Sequence, residues 1–363
     1  MQLFAGPESR AWGPRRLLVV LWATTWLPVA VLDLLSKNGL RPESFFRDAA
    51  AHARLLVALP LFLLARPLVE TLLAQAVRGV FQAGLVHAEA QTHIAETLRR
   101  RARRMASPFG LLLLVVLAGA LSFVDFRVGS TRGELTWRTD GHGLSPAGLW
   151  YFFFTNTFYR LIVLRWVWGF GSWFASMCTL ARGLRPDPLH PDRQGGLERL
   201  TTSHASFCLV LFGASSAIAG AFINQVLYRG ATFASLRPLM VATVVLLPLP
   251  VLVALLPLVL PLRRARHDLL TRYGRVAAEQ ERAFADYWFS PRTKTPHELL
   301  KSEDFSAAAD LGTNYQVALT MLPFPLQRPA LVALLLGAAL PMLPVLLLLM
   351  PTAEVLKELF SFL

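Results

Sequence analysis

Apolar residues along this chain come in solid runs rather than in alternation, and seven of the runs are long. They lie near Leu17–Ser36, Leu55–Ala74, Phe109–Phe126, Leu149–Thr179, Ser206–Tyr228, Leu239–Leu262 and Ala330–Met350. A helix rises 1.5 Å per residue, so about 20 apolar residues cross a hydrocarbon layer ~30 Å thick. The pattern therefore predicts an all-α polytopic membrane protein with about seven transmembrane helices. An outer-membrane barrel is excluded, because its strands would read as short alternating segments. The fourth run is longer than a bilayer requires, which predicts a tilt, a kink or a projection beyond the membrane.

Helical periodicity continues outside the spans. After the second span, Val80, Leu85, Ile94 and Leu98 lead into a basic cluster, Arg99, Arg100, Arg101, Arg103 and Arg104. This reads as a helix that leaves the membrane and returns at Pro108. After the sixth span, Leu269, Tyr273 and Val276 recur four and three apart and form an apolar stripe. Ser290-Pro291-Arg292 interrupts it, since proline disfavours helix at the residue before it. A second helix is expected from near Ser302 through Leu311, Tyr315 and Ala318 to Pro323. Each stripe needs a partner, either the other stripe or another subunit. The expected organisation is a bundle over residues 1–262 with a helical hairpin at about 75–108, a cytoplasmic helical segment over 263–329, and a last span with an amphipathic tail over 330–363. No internal repeat is visible, so an inverted-repeat transporter has no support in the sequence.

Charge sets an orientation. The chain carries 36 Lys+Arg against 23 Asp+Glu, a formal net charge of +13. With the N-terminus inside, the segments on that side hold 23 of the basic residues and those on the opposite side hold 10. The positive-inside rule then places the N-terminus in the cytoplasm. The excess calls for no nucleic-acid partner, because no recognition motif accompanies it. At 54% hydrophobic and 16% charged residues, the chain is far from the roughly 25% charge of soluble domains. No catalytic triad, metalloprotease or nucleotide signature occurs, and no enzyme activity, cofactor or metal is expected.

Candidate chemistry centres on three arginines inside spans: Arg66, Arg160 and Arg165. A charge at the bilayer centre costs ~2.5–3.5 kcal/mol on insertion scales, so it should face protein or water. Glu70 lies one turn from Arg66, while Asp33 and Asp125 lie near outer ends of spans. Two uses stay open: the arginines pair with these carboxylates and hold helices together, or they line an aqueous path and attract anions. In the fifth span, Ser215, Ser216 and Asn224 suit either close helix packing or a wetted wall. Aromatic residues such as Trp150, Trp166 and Trp173 suit anchoring and packing. In the loop from His190 to Arg199, Gly195 and Gly196 dictate turns, and backbone N–H groups around them suit an anion-binding nest. The Arg99–Arg104 cluster suits anionic lipid headgroups at about 1 kcal/mol per basic residue. The leading expectation is an oligomeric, channel-like protein that prefers anions, with the fifth helix as pore wall. The alternatives are a non-conducting scaffold or sensor and, third, an active transporter coupled through Glu70.

The motif His190-Pro191-Asp192-Arg193-x-Gly195-Gly196-Leu197 resembles that of a family of bacterial polytopic membrane proteins with no assigned activity. Tyr228-Arg229-Gly230-Ala231-Thr232, Ala309-Asp310-Leu311-Gly312 and the tail Glu354-Val355-Leu356-Lys357-Glu358-Leu359 extend the resemblance. The family carries a Gly-Leu-Gly-type run after the glycine pair, where this chain has Glu198-Arg199. The resemblance implies a bacterial inner-membrane location and supplies no functional residue.

Overall fold

The computed structural model describes residues 13–36, 44–131, 137–139, 143–288 and 304–349. In chain order the helices are α1 Arg15–Leu35, α2 Ala49–Gln82, α3 Ala88–Met105, α4 Pro108–Val128, α5 Pro146–Gly183, α6 Glu198–Arg229, α7 Phe233–Val253, α8 Leu256–Trp288, α9 Asp304–Thr320 and α10 Arg328–Leu349. All but α3, α8 and α9 are apolar and long enough to cross a membrane. No strand occurs among the described residues, only two isolated bridges. The protein is an all-α, multi-pass membrane protein. The Ser290-Pro291-Arg292 break and the amphipathic tail at 354–359 lie outside the described residues.

Helix α6 is the most enclosed of the spans, and its small residues explain why. A Cβ on Gly220 would lie 2.7 Å from the Ala49 carbonyl oxygen and 2.6 Å from the Ala53 Cβ of α2. On its other side, a Cβ on Gly337 of α10 would lie 2.5 Å from the Cys208 carbonyl oxygen. Ser215 Oγ donates to the Ala338 carbonyl at 2.6 Å. Helix association in lipid relies on this kind of close backbone approach and interhelical hydrogen bonding.

Helices α2, α5 and α6 hold 34, 38 and 32 residues, or roughly 48–57 Å at 1.5 Å per residue, well beyond a ~30 Å hydrocarbon layer. Their surplus turns gather at one end of the bundle. There they pack with α3 and α8 into a core that includes Val77, Val80, Ile94, Leu98, Met177, Leu180, Leu200, Leu258 and Leu262. Helix α3 buries Ile94 and Leu98 and turns Arg99, Arg100, Arg103 and Arg104 outward. This is the basic end; the other is the distal end. The long fourth span thus projects out of the membrane, one of its three expected fates. Helices α8 and α9 meet at Arg266, whose Nε and Nη2 donate to the Ala318 and Leu319 carbonyls at 3.3 and 2.7 Å, while Val276 of the α8 stripe stays exposed. Because α8 is unbroken from Leu256, the expected domain boundary at 262/263 falls inside one helix.

Proline and π-helical turns supply the bends. Pro248, Pro250 and Pro257 divide the sixth span into short helical pieces, since proline lacks the N–H an unbroken helix needs. At the distal end, α2 and α5 each contain a π-helical turn, at Ala53–Ala58 and Tyr151–Asn156.

Candidate functional site

The arginines within spans occupy different depths. Glu70 lies 21 residues after Ala49, so it stands about 31 Å along the 34-residue α2. Arg66 Nε donates to Glu70 Oε1 at 2.8 Å, and the two side chains are 30% and 59% exposed. Arg165 also sits lower than the span pattern suggested. It precedes by one turn Gly169, where an added Cβ would reach Met105 Cε at the end of α3. An arginine at that level can extend its head toward the headgroups. Arg160 forms an ion pair with Asp125, which lies near the distal end of α4. Asn156 Nδ2 donates to the same carboxylate oxygen at 3.3 Å. The Nε atoms of Arg160 and Arg165 are buried with no hydrogen-bond partner among the described residues. Asp33 meets a backbone group instead of an arginine: its Oδ2 accepts from Phe45 N at 2.9 Å.

The polar residues of α6 are consumed by packing. Ser215 is fully buried and bonds α10, while Ser216 Oγ donates back to the Phe212 carbonyl at 2.7 Å. Within one protomer they therefore do not line a water column, which corrects the expected pore wall. Tryptophans staple the helices further: Trp166 Nε1 donates to the Phe62 carbonyl at 3.2 Å and Trp173 Nε1 to His204 Nε2 at 3.0 Å.

At the distal end, Asp48 organises a site that the hydropathy pattern hid. It caps α2, whose helix begins at Ala49 rather than at Leu55. Oδ1 accepts from Ala51 N at 2.9 Å and from Asn224 Nδ2 of α6 at 2.8 Å. Oδ2 accepts from Trp137 Nε1 at 3.0 Å and from Arg138 Nη2 at 2.8 Å. Asn224 Oδ1 returns the contact by accepting from Ala49 N at 2.9 Å. Burial pushes the Asp48 carboxyl up, but the Arg138 guanidinium and the hydrogen bonds from Ala51, Asn224 and Trp137 outweigh it and hold the group below its ordinary range. The Arg138 guanidinium lies 5.0 Å from the ring centroids of both Trp137 and Tyr151. Arg54, an arginine within α2 that the predicted span limits left outside, donates to Tyr151 Oη at 3.3 Å. The missed signal was Asp48 followed by three alanines, an N-cap ahead of helix-forming residues.

At the basic end the His190–Arg199 loop is built around Asp192. Its Oδ1 accepts from Gln194 N at 2.8 Å and Gly196 N at 3.1 Å, and its Oδ2 accepts from Glu198 N at 3.1 Å. The nest expected at Gly195 and Gly196 is thus real, but its anion is the protein's own carboxylate, which corrects the external-anion expectation. Burial raises the Asp192 carboxyl; the three backbone donors and nearby His190 bring it below its ordinary range. Gly195 and Gly196 take φ of +66° and +86°. A Cβ on Gly195 would also meet the Pro186 Cβ at 2.6 Å. Of the basic cluster, Arg101 turns inward, donating to the Ala175 carbonyl and to Thr179 Oγ1 of α5. Arg100 pairs with Glu96 at 2.6 Å on the surface.

No protein-family model, curated protein or solved structure matches the chain. Among the described residues no group of three or more His, Cys, Asp or Glu is placed to hold a metal ion.

Proposed function

We propose that the protein is a non-conducting scaffold or sensor of the bacterial inner membrane, with its basic end in the cytoplasm. The observation that carries this reading is the closed packing of α6, where Gly213, Ser215 and Gly220 are spent on α2 and α10 contacts. The Arg160 guanidinium has its counter-charge in Asp125. Positive loops on the overshooting side support the orientation. Reconstituted into liposomes, the protein is expected to pass no more chloride than empty vesicles do. A Ser215→Cys variant should resist a membrane-impermeant maleimide while Glu70→Cys reacts.

One observation favours a second reading, an anion conduit formed between copies. The Arg66–Glu70 pair is open on the outer face of α2, and Arg165 keeps a buried Nε without a described partner. A homo-oligomer that enclosed this face would surround a path with positive charge. Chloride flux above background that disappears in Arg165→Ala would establish that reading in place of the first.

A further inference from the structure

The basic end contains an open cleft of about 950 Å³ between the end of α5, the loop after it and the start of α8. Its size falls in the range of sites that hold small molecules and headgroups, ~300–1,000 Å³. Four guanidinium-bearing side chains line it, Arg182, Arg185, Arg264 and Arg272, against one lining carboxylate, Asp268. None of the four forms an ion pair within 4.0 Å with a described carboxylate. Arg185 Nε donates to His87 Nε2, so its two terminal nitrogens are not used in that bond.

The cleft also has apolar lining. Pro257, Leu260 and Pro261 line it before the first arginine of α8, and Leu184, Pro186 and Leu269 line it beside the arginines. Pro257 and Leu260 belong to the last apolar stretch of the sixth run, which ends at Leu262 just before Arg263. Arg264 and Arg272 follow Pro257 by two and four turns on the same helix. An apolar wall at the end of a span with guanidinium groups beyond it on the same helix matches a phosphodiester that carries acyl chains. Basic pockets between helices on the cytoplasmic side bind such groups, and arginine's forked donors suit phosphate oxygens.

We propose that this cleft binds the phosphate headgroup of an anionic phospholipid. The assignment does not depend on whether the bundle conducts. It also differs from the Arg99–Arg104 surface, none of whose residues lines this cleft.

The test is native mass spectrometry of the purified full chain in detergent, with added dioleoyl phosphatidylglycerol or dioleoyl phosphatidylcholine. Phosphatidylglycerol should be retained preferentially. The double variant Arg264→Gln/Arg272→Gln should lose apparent affinity by roughly thirtyfold, at ~1 kcal/mol per basic residue. Both side chains are exposed, so circular dichroism and gel filtration should be unchanged. Arg99→Gln/Arg103→Gln should stay within about twofold of the parent. Equal retention of the two lipids would overturn the proposal, as would parental binding by the Arg264/Arg272 variant. Displacement of phosphatidylglycerol by millimolar inorganic phosphate would also overturn it, by identifying a soluble phosphate as the ligand.

Discussion

Two buried aspartates hold the two ends of this bundle, and they do it in opposite ways. Asp192 takes its three backbone donors from within six residues of itself, so it shapes a turn. Asp48 takes one local donor and three from Trp137, Arg138 and Asn224, some 90 to 176 residues away, so it ties α2, α6 and the segment before α5 together. Burial works against both carboxylates, and both are held ionised by what surrounds them. The number of donors is similar; the chain distance they span is not. A local network protects one loop, whereas a long-range one couples helix ends that would otherwise separate.

This contrast is sharpest under substitution. Asp48→Ala leaves Arg138 and Asn224 without their shared acceptor, and breaking a buried ion pair from one side costs about 3–5 kcal/mol. Unfolding in mixed detergent should therefore shift for the whole bundle, and a change confined to residues 44–58 would break the comparison. Next in size is Gly195→Ala, which combines a positive φ with a methyl pressed on Pro186, for about 2–4 kcal/mol in all. Hydrogen exchange should rise across the loop around Asp192 and stay unchanged around Asp48. Asp192→Asn should cost about 1–3 kcal/mol by weakening acceptors for buried N–H groups, with the same local footprint.

The pH response tests whether both carboxylates are held as described. Each folded pKa lies below its ordinary 3.8, so the stabilisation is complete above the unfolded value near 3.9 and is lost as pH falls through the lower folded value. Neither end should loosen between pH 7 and about 5 on account of these groups; exchange at Trp137 and Gly196 that rises within that window would contradict the assignment. The smallest effect is expected at the open Arg66–Glu70 pair. Glu70→Gln should cost at most about 1 kcal/mol in thermal denaturation, as exposed pairs do. A loss above about 2 kcal/mol would mean that a second copy buries this face, in favour of the conduit between subunits.

Much of the architecture was legible in the residues. The seven spans, the helix ending in the Arg99–Arg104 cluster and the helices after the sixth span follow from apolar run length and three-to-four spacing, which a helix imposes locally. Arg66 and Glu70 were legible as a pair because i and i+4 share a helix face. The Asp48 knot was not, because the hydropathy of Ala49–Arg54 is too mild to mark a span and its partners lie far along the chain.

Fold class, the number of spans and the charge asymmetry between loops can be read from the residues, since each depends on neighbours a few residues apart. That Ser215 and Ser216 pack rather than face water, and that Asp192 fills its own nest, emerged only from the packed helices. The same packing also gathered Arg182, Arg185, Arg264 and Arg272 around one cleft. Those outcomes depend on which helix lies beside which and at what depth. That depends on close approach at Gly220 and Gly337, where the absence of a side chain lets two backbones meet.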